Sequence, residues 1–169
     1  VSAMADATHI AQRHFGARSA QYAHALRYHG QAARMVGDYG TAIERLEQAL
    51  AIQRALAETD QRLIATVWYN LGQTRKQAGD IDGAAKAYQS ALDAAARDPD
   101  PVRPTRAVVL HSLANLERER GNRARAIELY AQVRPQFEKF YGADSPTLAT
   151  LLNNYGEAEA HSGNFADAA

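Results

Sequence analysis

The chain has 169 residues, 46% of them hydrophobic, enough to bury a core in one continuous domain. Its 19 Lys and Arg are balanced by 19 Asp and Glu, and a formal net charge of zero argues against a nucleic-acid partner, for which a clear basic excess is the rule. The absence of cysteine excludes disulfides and thiolate metal sites.

No apolar run approaches the ~18 residues of a membrane span, and Val1–Ile10 lack the basic start and apolar stretch of a signal peptide. The chain is therefore expected to be soluble and cytoplasmic, with no membrane partner. Its opening on Val1 reads as that of a fragment.

One period governs the elements. Gly37-Asp38, Gly79-Asp80, Gly121-Asn122 and Gly163-Asn164 follow one another at intervals of 42 residues without slippage, and units copied at such a period stack rather than fold about one centre. In chain order, Ser2–His14 aligns with Glu44–Leu56 and is predicted as the second helix of a preceding unit. The first full unit turns at Gly37. In the second, Ile64, Trp68, Leu71 and Gly72 keep helical spacing up to the Gly79 turn, and Ile81, Ala84, Ala85, Tyr88, Ala91 and Leu92 keep it afterwards. This predicts two amphipathic helices in a hairpin. Gly79 ends the first through a left-handed conformation and Asp80 caps the second.

The segment from Asp98 to Pro104 is predicted as a tight connector into the third unit. There Pro135 falls inside the second helix, where a straight helix would lose about 3 kcal/mol, so a kink or an early end is expected. The fourth unit stops barely into its second helix, leaving Leu152 and Tyr155 expected to be exposed.

The units agree column by column. Leu26, Trp68, Leu110 and Leu152 share one position, and His29, Leu71, Leu113 and Tyr155 another. Gly30, Gly72, Ala114 and Gly156 form a small column, faced by the large Leu46, Tyr88 and Tyr130. Large side chains opposite small ones describe closely packed antiparallel helices. His29, Arg75 and Glu117 are the polar exceptions, and His29 is expected to be a core histidine bonded to a neighbour.

Trp68, Leu71, Gly72, Gly79, Ala84, Tyr88 and Ala91 resemble the tetratricopeptide repeat signature. The unit of 42 residues, with Tyr141-Gly-Ala-Asp-Ser-Pro146 and its earlier copy Phe15-Gly-Ala-Arg-Ser-Ala20, resembles the kinesin light chain variety. The fold expected is all-α, a right-handed superhelical solenoid of antiparallel helix hairpins with about three full repeats and a partial one at each end. A single domain is expected over 1–169: a trailing helix at 1–17, repeats at 18–59, 60–101 and 102–143, and a partial repeat at 144–169.

In such hairpins the first helix of each unit lines the inner side, and extended concave surfaces of this kind hold other proteins. The candidate peptide-binding residues are Arg27, Gln31 and Arg34 in the first unit and Tyr69, Asn70, Gln73 and Lys76 in the second. The third offers His111, Asn115 and Arg118, and the fourth Asn153, Asn154 and Glu157. Gln31, Gln73, Asn115 and Glu157 form one column of amide or acid side chains, and an amide can both donate to and accept from an extended main chain. Arg34, Lys76 and Arg118 repeat in register as a basic stripe suited to an acidic segment. The resemblance implies that Asn70 and Asn154 grip peptide main chain.

Catalysis has no foothold. The six histidines show no metal-binding spacing, and every glycine belongs to a turn or a close-packing column, so neither an enzyme nor a cofactor or metal site is expected. The function expected is a protein–protein interaction module that binds an extended, acidic peptide. The alternative is a regulatory or sensor segment of a larger bacterial signalling protein, attached to an ATPase switch or a transcription regulator. Either could form a homo-oligomer through its open ends.

Overall fold

The computed structural model describes residues 2–98 and 105–160, and among these every regular element is an α-helix. In order they are α1 (Ser2–Phe15), α2 (Ala20–Met35), α3 (Tyr39–Ala55), α4 (Gln61–Gln77), α5 (Ile81–Ala95), α6 (Thr105–Glu119), α7 (Arg123–Tyr141) and α8 (Pro146–Ala160). The chain forms two compact units, Val1–Pro99 and Asp100–Ala169. In the first, α1 to α5 each pack on the next, and α2 also touches α4. In the second, α6 packs on α7, α7 on α8, and α6 on α8.

The hairpin turns have the expected chemistry. Gly37, Gly79 and Gly121 take φ of 81°, 86° and 81°, a region that costs a residue with a Cβ about 1–2 kcal/mol. The next amide then reaches back to close the helix end, Asp38 N to the Ala33 carbonyl at 3.0 Å and Asp80 N to that of Arg75 at 2.8 Å. Asp38 caps α3 by accepting from Thr41 N at 3.0 Å, and Asp80 caps α5 by accepting from Gly83 N at 2.8 Å. Asn122 departs from this pattern. Its amide donates to Glu117 Oε2 at 2.6 Å instead of capping α7. The turn expected at Gly163 and the connector at 99–104 lie outside the described residues.

Hairpin packing follows the small and large columns. A Cβ on Gly30 would stand 2.8 Å from Leu46 Cγ, and one on Gly72 would collide with the Tyr88 ring. Around these contacts Leu26, Leu46, Leu50, Leu63, Ile64 and Leu71 form the core of the first unit. In the second unit Leu110, Leu116, Leu129, Tyr130, Val133, Phe137 and Leu151 are buried.

Each polar exception in the core columns has a partner. His29 is buried, with Nδ1 3.3 Å from the Thr8 hydroxyl of α1. Since Thr8 already donates to the Met4 carbonyl at 2.6 Å, its oxygen accepts and His29 donates. Arg75 pairs with Glu47 at 3.0 Å, and Glu117 accepts from both Arg120 and Asn122.

Two expectations need adjusting. Of the kink or early end expected at Pro135, the early end does not occur: α7 runs on through it to Tyr141. Pro135 lies on the exposed side, while Val133 and Phe137 on either side of it are buried and hold the helix to its unit. Tyr155 is not left bare either, because its ring lies 5.8 Å from that of Tyr130. Leu152 is exposed as expected.

Candidate binding face on the first helices

In the first unit the candidate residues come from two adjacent helices. Arg27, Gln31 and Arg34 lie on α2, and Tyr69, Asn70, Gln73 and Lys76 on α4. All are half-buried except Asn70, which is 5% exposed. Arg34 bridges the two helices by donating from Nη1 to Gln77 Oε1 at 3.2 Å. Gln73 donates from Nε2 to the Tyr69 hydroxyl at 2.8 Å, so that pair braces itself along α4. The guanidinium of Arg27 lies 3.9 Å from the centre of the Tyr28 ring.

Arg27 also lines a cavity of about 170 Å³ together with His24, Asp60, Arg62, Leu63 and Thr66. Asp60 caps α4 by accepting from Leu63 N at 3.0 Å, and Arg62 comes within 4.0 Å of the same carboxylate. Burial, and after it the charge of Arg27, holds the pKa of His24 below its ordinary value, so the ring is neutral near pH 7. The charge of the cavity is therefore set by two arginines against one aspartate.

Beneath this face lie polar atoms with no partner. The Nδ2 of Asn70, both side-chain amide atoms of Gln53 and the Nε of Arg27 are buried without a hydrogen bond. Gln53 is 1% exposed. Its repeat register matches that of Phe137, and the register of Arg27 matches that of His111. In the second unit those two rings touch edge to face, with centroids 5.4 Å apart. A buried amide left unsatisfied costs about 1–3 kcal/mol.

The second unit is arranged differently. Asn115 Oδ1 accepts from the Tyr130 hydroxyl at 2.6 Å and from Asn154 Nδ2 at 3.0 Å, joining α6, α7 and α8. Burial lowers the pKa of His111, leaving its Nε2 able to accept from Asn115 Nδ2 at 3.4 Å. Arg118 is ion-paired with Glu157 at 3.0 Å, and Asn153 donates to the other oxygen of that carboxylate at 3.3 Å. The amides of this unit thus bond one another and Arg118 is ion-paired through Nη1, although its Nε is buried without a partner.

Sequence reading missed Gln53, Asp60 and Arg62. Gln53 carried a signal, since it is the polar member of a column otherwise made of Ala11, Ala95 and Phe137. Asp60 and Arg62 sit at a helix start, where their residue types look like ordinary capping and surface charge. Among the described residues no group of side chains is placed to hold a metal ion, and no helix is long and apolar enough to cross a membrane.

Comparison with known proteins agrees with this architecture. The family described as tetratricopeptide repeat matches residues 21–97, 63–139 and 105–169. No curated protein matches the chain. Among solved structures, BtubC (BKLC) of P. vanneervenii is 21% identical, with a TM-score of 0.83 over 99% of this chain and 66% of its own. A Podosopora anserina protein described as a kinesin light chain with nearly identical TPR-like repeats is 20% identical, with a TM-score of 0.73 over 86% of this chain and 69% of its own. MamA is also 20% identical, with a TM-score of 0.62 over 86% of this chain and 71% of its own. At such identities the likeness concerns the fold. The chain spans 66% of the length of the first of these structures.

Proposed function

This chain belongs to the tetratricopeptide repeat family and is accordingly a protein-interaction module; from that premise we propose that it holds an extended, acidic segment of a partner protein, with the α2–α4 face of the first unit supplying most of the recognition. The observation that carries the reading is the contrast between the units. Asn70 and Gln53 of the first unit are buried with amide atoms unpartnered, and the same unit has a cavity lined by Arg27 and Arg62. The amides of the second unit are occupied with each other.

The chemistry runs in two parts. A carboxylate entering the cavity meets two guanidinium groups, and charge-assisted hydrogen bonds of this kind are about twice as strong as neutral ones. The Asn70 amide, one helical turn beyond Thr66 and buried in the free chain, is uncovered as the peptide seats and then donates to a main-chain carbonyl, which gives affinity without demanding a particular side chain. Arg34 and Lys76 add charge that speeds encounter with an acidic segment. The second unit braces its own helices, and Asn115, Asn153, Asn154 and Glu157 contribute to binding only by exchanging these internal bonds. The division of the chain into repeats at 18–59, 60–101, 102–143 and a partial repeat at 144–169 belongs to the same reading.

The test is an array of extended peptides of graded acidity, probed with the full chain and with variants. Arg27→Gln and Asn70→Ala should each weaken capture of acidic peptides about tenfold, while Asn153→Ala should change it little. Equal capture of acidic and basic peptides, or an unchanged profile in the Arg27→Gln and Asn70→Ala variants, contradicts the reading.

A further inference from the structure

A second cavity of the first unit lies among different helices and has a different chemistry. It measures about 240 Å³ and lies among the ends of α3 and α5 and the first half of α4. Arg54 from α3, Ile64 and Trp68 from α4, Ser90 and Asp93 from α5, and Arg97 just past the end of α5 line it, together with Thr59 and Gln61. None of the candidate peptide-binding residues does so.

Three features mark it as a built site. The guanidinium of Arg54 stands 5.3 Å from the centre of the Trp68 ring, which holds it over an apolar surface. Among the described residues neither Arg54 nor Arg97 makes an ion pair, while Asp93 is already engaged by Gln89 Nε2 at 3.1 Å. The combination of lining side chains is also found in this repeat alone: the positions matching Arg54 hold Gln12, Ala96 and Glu138, those matching Ser90 hold Asp6, Gln48 and Gln132, and those matching Asp93 hold His9, Ala51 and Pro135, while Arg97 has cationic counterparts in Arg13 and Lys139. Stacking of repeats does not require these side chains, since the other units stack without them.

We propose that this cavity is a second binding site, for a carboxylate carried on a short apolar stem. The carboxylate sits between Arg54 and Arg97 and accepts from the Ser90 hydroxyl. The stem lies against the Trp68 indole and Ile64. Asp93 sets the limit on charge, because a doubly anionic group is repelled by it where a single carboxylate is not. Two sources share this chemistry, a free small organic acid and a glutamate side chain of a bound protein.

Trp68 is the one tryptophan of the chain and lines this cavity, so its emission reports on binding there. The full-length chain is titrated with hexanoate, with hexanamide as the uncharged control, and with a capped tetrapeptide bearing a single glutamate beside a leucine. A saturable change in Trp68 emission with a carboxylate probe, and none with hexanamide, is the expected result. Arg54→Gln or Arg97→Gln should weaken it about tenfold. Asp93→Asn should tighten it severalfold, a gain that loss of folding cannot imitate. Tighter binding of hexanoate assigns the site to a free acid, and tighter binding of the tetrapeptide assigns it to a protein side chain. The proposal is overturned if neither carboxylate probe gives a saturable change, if hexanamide matches them, or if the arginine and Asp93→Asn variants respond as the parent does.

Discussion

Gln53 shows how much a single side chain can reveal. A glutamine at 1% exposure with neither amide atom bonded is a liability in a helix packed on both sides. Its repeat partners Ala11, Ala95 and Phe137 show that the position works without polarity. Gln53→Met, close in volume and free of polar atoms, should therefore raise stability by about 1–2 kcal/mol, measured by chemical denaturation. The same change should weaken binding of an acidic peptide, the trade expected where a strained polar group is kept for recognition. A loss of stability would show that Gln53 is satisfied in solution. The polarity of this residue was visible in its column, but its burial was not. Which face of α3 turns inward depends on contacts that the period alone does not report.

Two helices carry predictions at the scale of whole elements. In α7 the ring of Pro135 leads to the expectation of a kink or an early end, by a rule that holds for isolated helices. Here Val133 and Phe137 are buried on both sides of it, and their packing outweighs one lost hydrogen bond and the steric cost. Pro135→Ala, at an exposed position, should restore the missing bond and stabilise the fold by about 1–3 kcal/mol. An unchanged denaturation midpoint would mean that α7 has already relaxed around the ring.

The docking of α1 on α2 should depend on pH. Burial, and next the charge of Arg45 on α3, holds the pKa of His29 below its ordinary value of 6.5, and Asp38 and Glu44 oppose them. The unfolded chain, with the ordinary pKa, therefore takes up the proton first as pH falls. Stability is fully present above that range and is lost as pH drops through about 6.5 and below. His24 and His111, also lowered chiefly by burial, add in the same direction. The melting temperature should fall between about pH 8 and about pH 5.5. His29→Leu, which restores the residue of Leu71 and Leu113, should flatten part of that slope. An identical slope in the variant would show that the Thr8–His29 contact carries no proton linkage.

At the scale of the molecule, the architecture was readable because each rule pointed the same way. The Gly37, Gly79 and Gly121 turns, the caps at Asp38 and Asp80, and the small columns opposite Leu46 and Tyr88 all specify the same hairpin. The inner lining was legible only as residue types. The regular column of Gln31, Gln73, Asn115 and Glu157 suggested four equivalent rungs. In the structure Gln73 is tied to Tyr69, Asn115 to Tyr130 and Asn154, and Glu157 to Arg118. A period fixes where a side chain starts and leaves open which neighbour it meets, because rotamers and the lengths of Asn and Gln decide that. The sequence alone spreads recognition evenly over the repeats, whereas the proposed function places most of it in the first unit, where Asn70 and Gln53 have unpartnered amide atoms.

The most direct test is a titration of the isotope-labelled chain with an extended acidic peptide, followed by backbone and side-chain amide resonances. The account predicts the largest shifts at Arg27, Thr66 and the side-chain amides of Asn70 and Gln53, with those of Asn115 and Asn154 nearly still. Shifts confined to α6–α8, or none at α2 and α4, would contradict it.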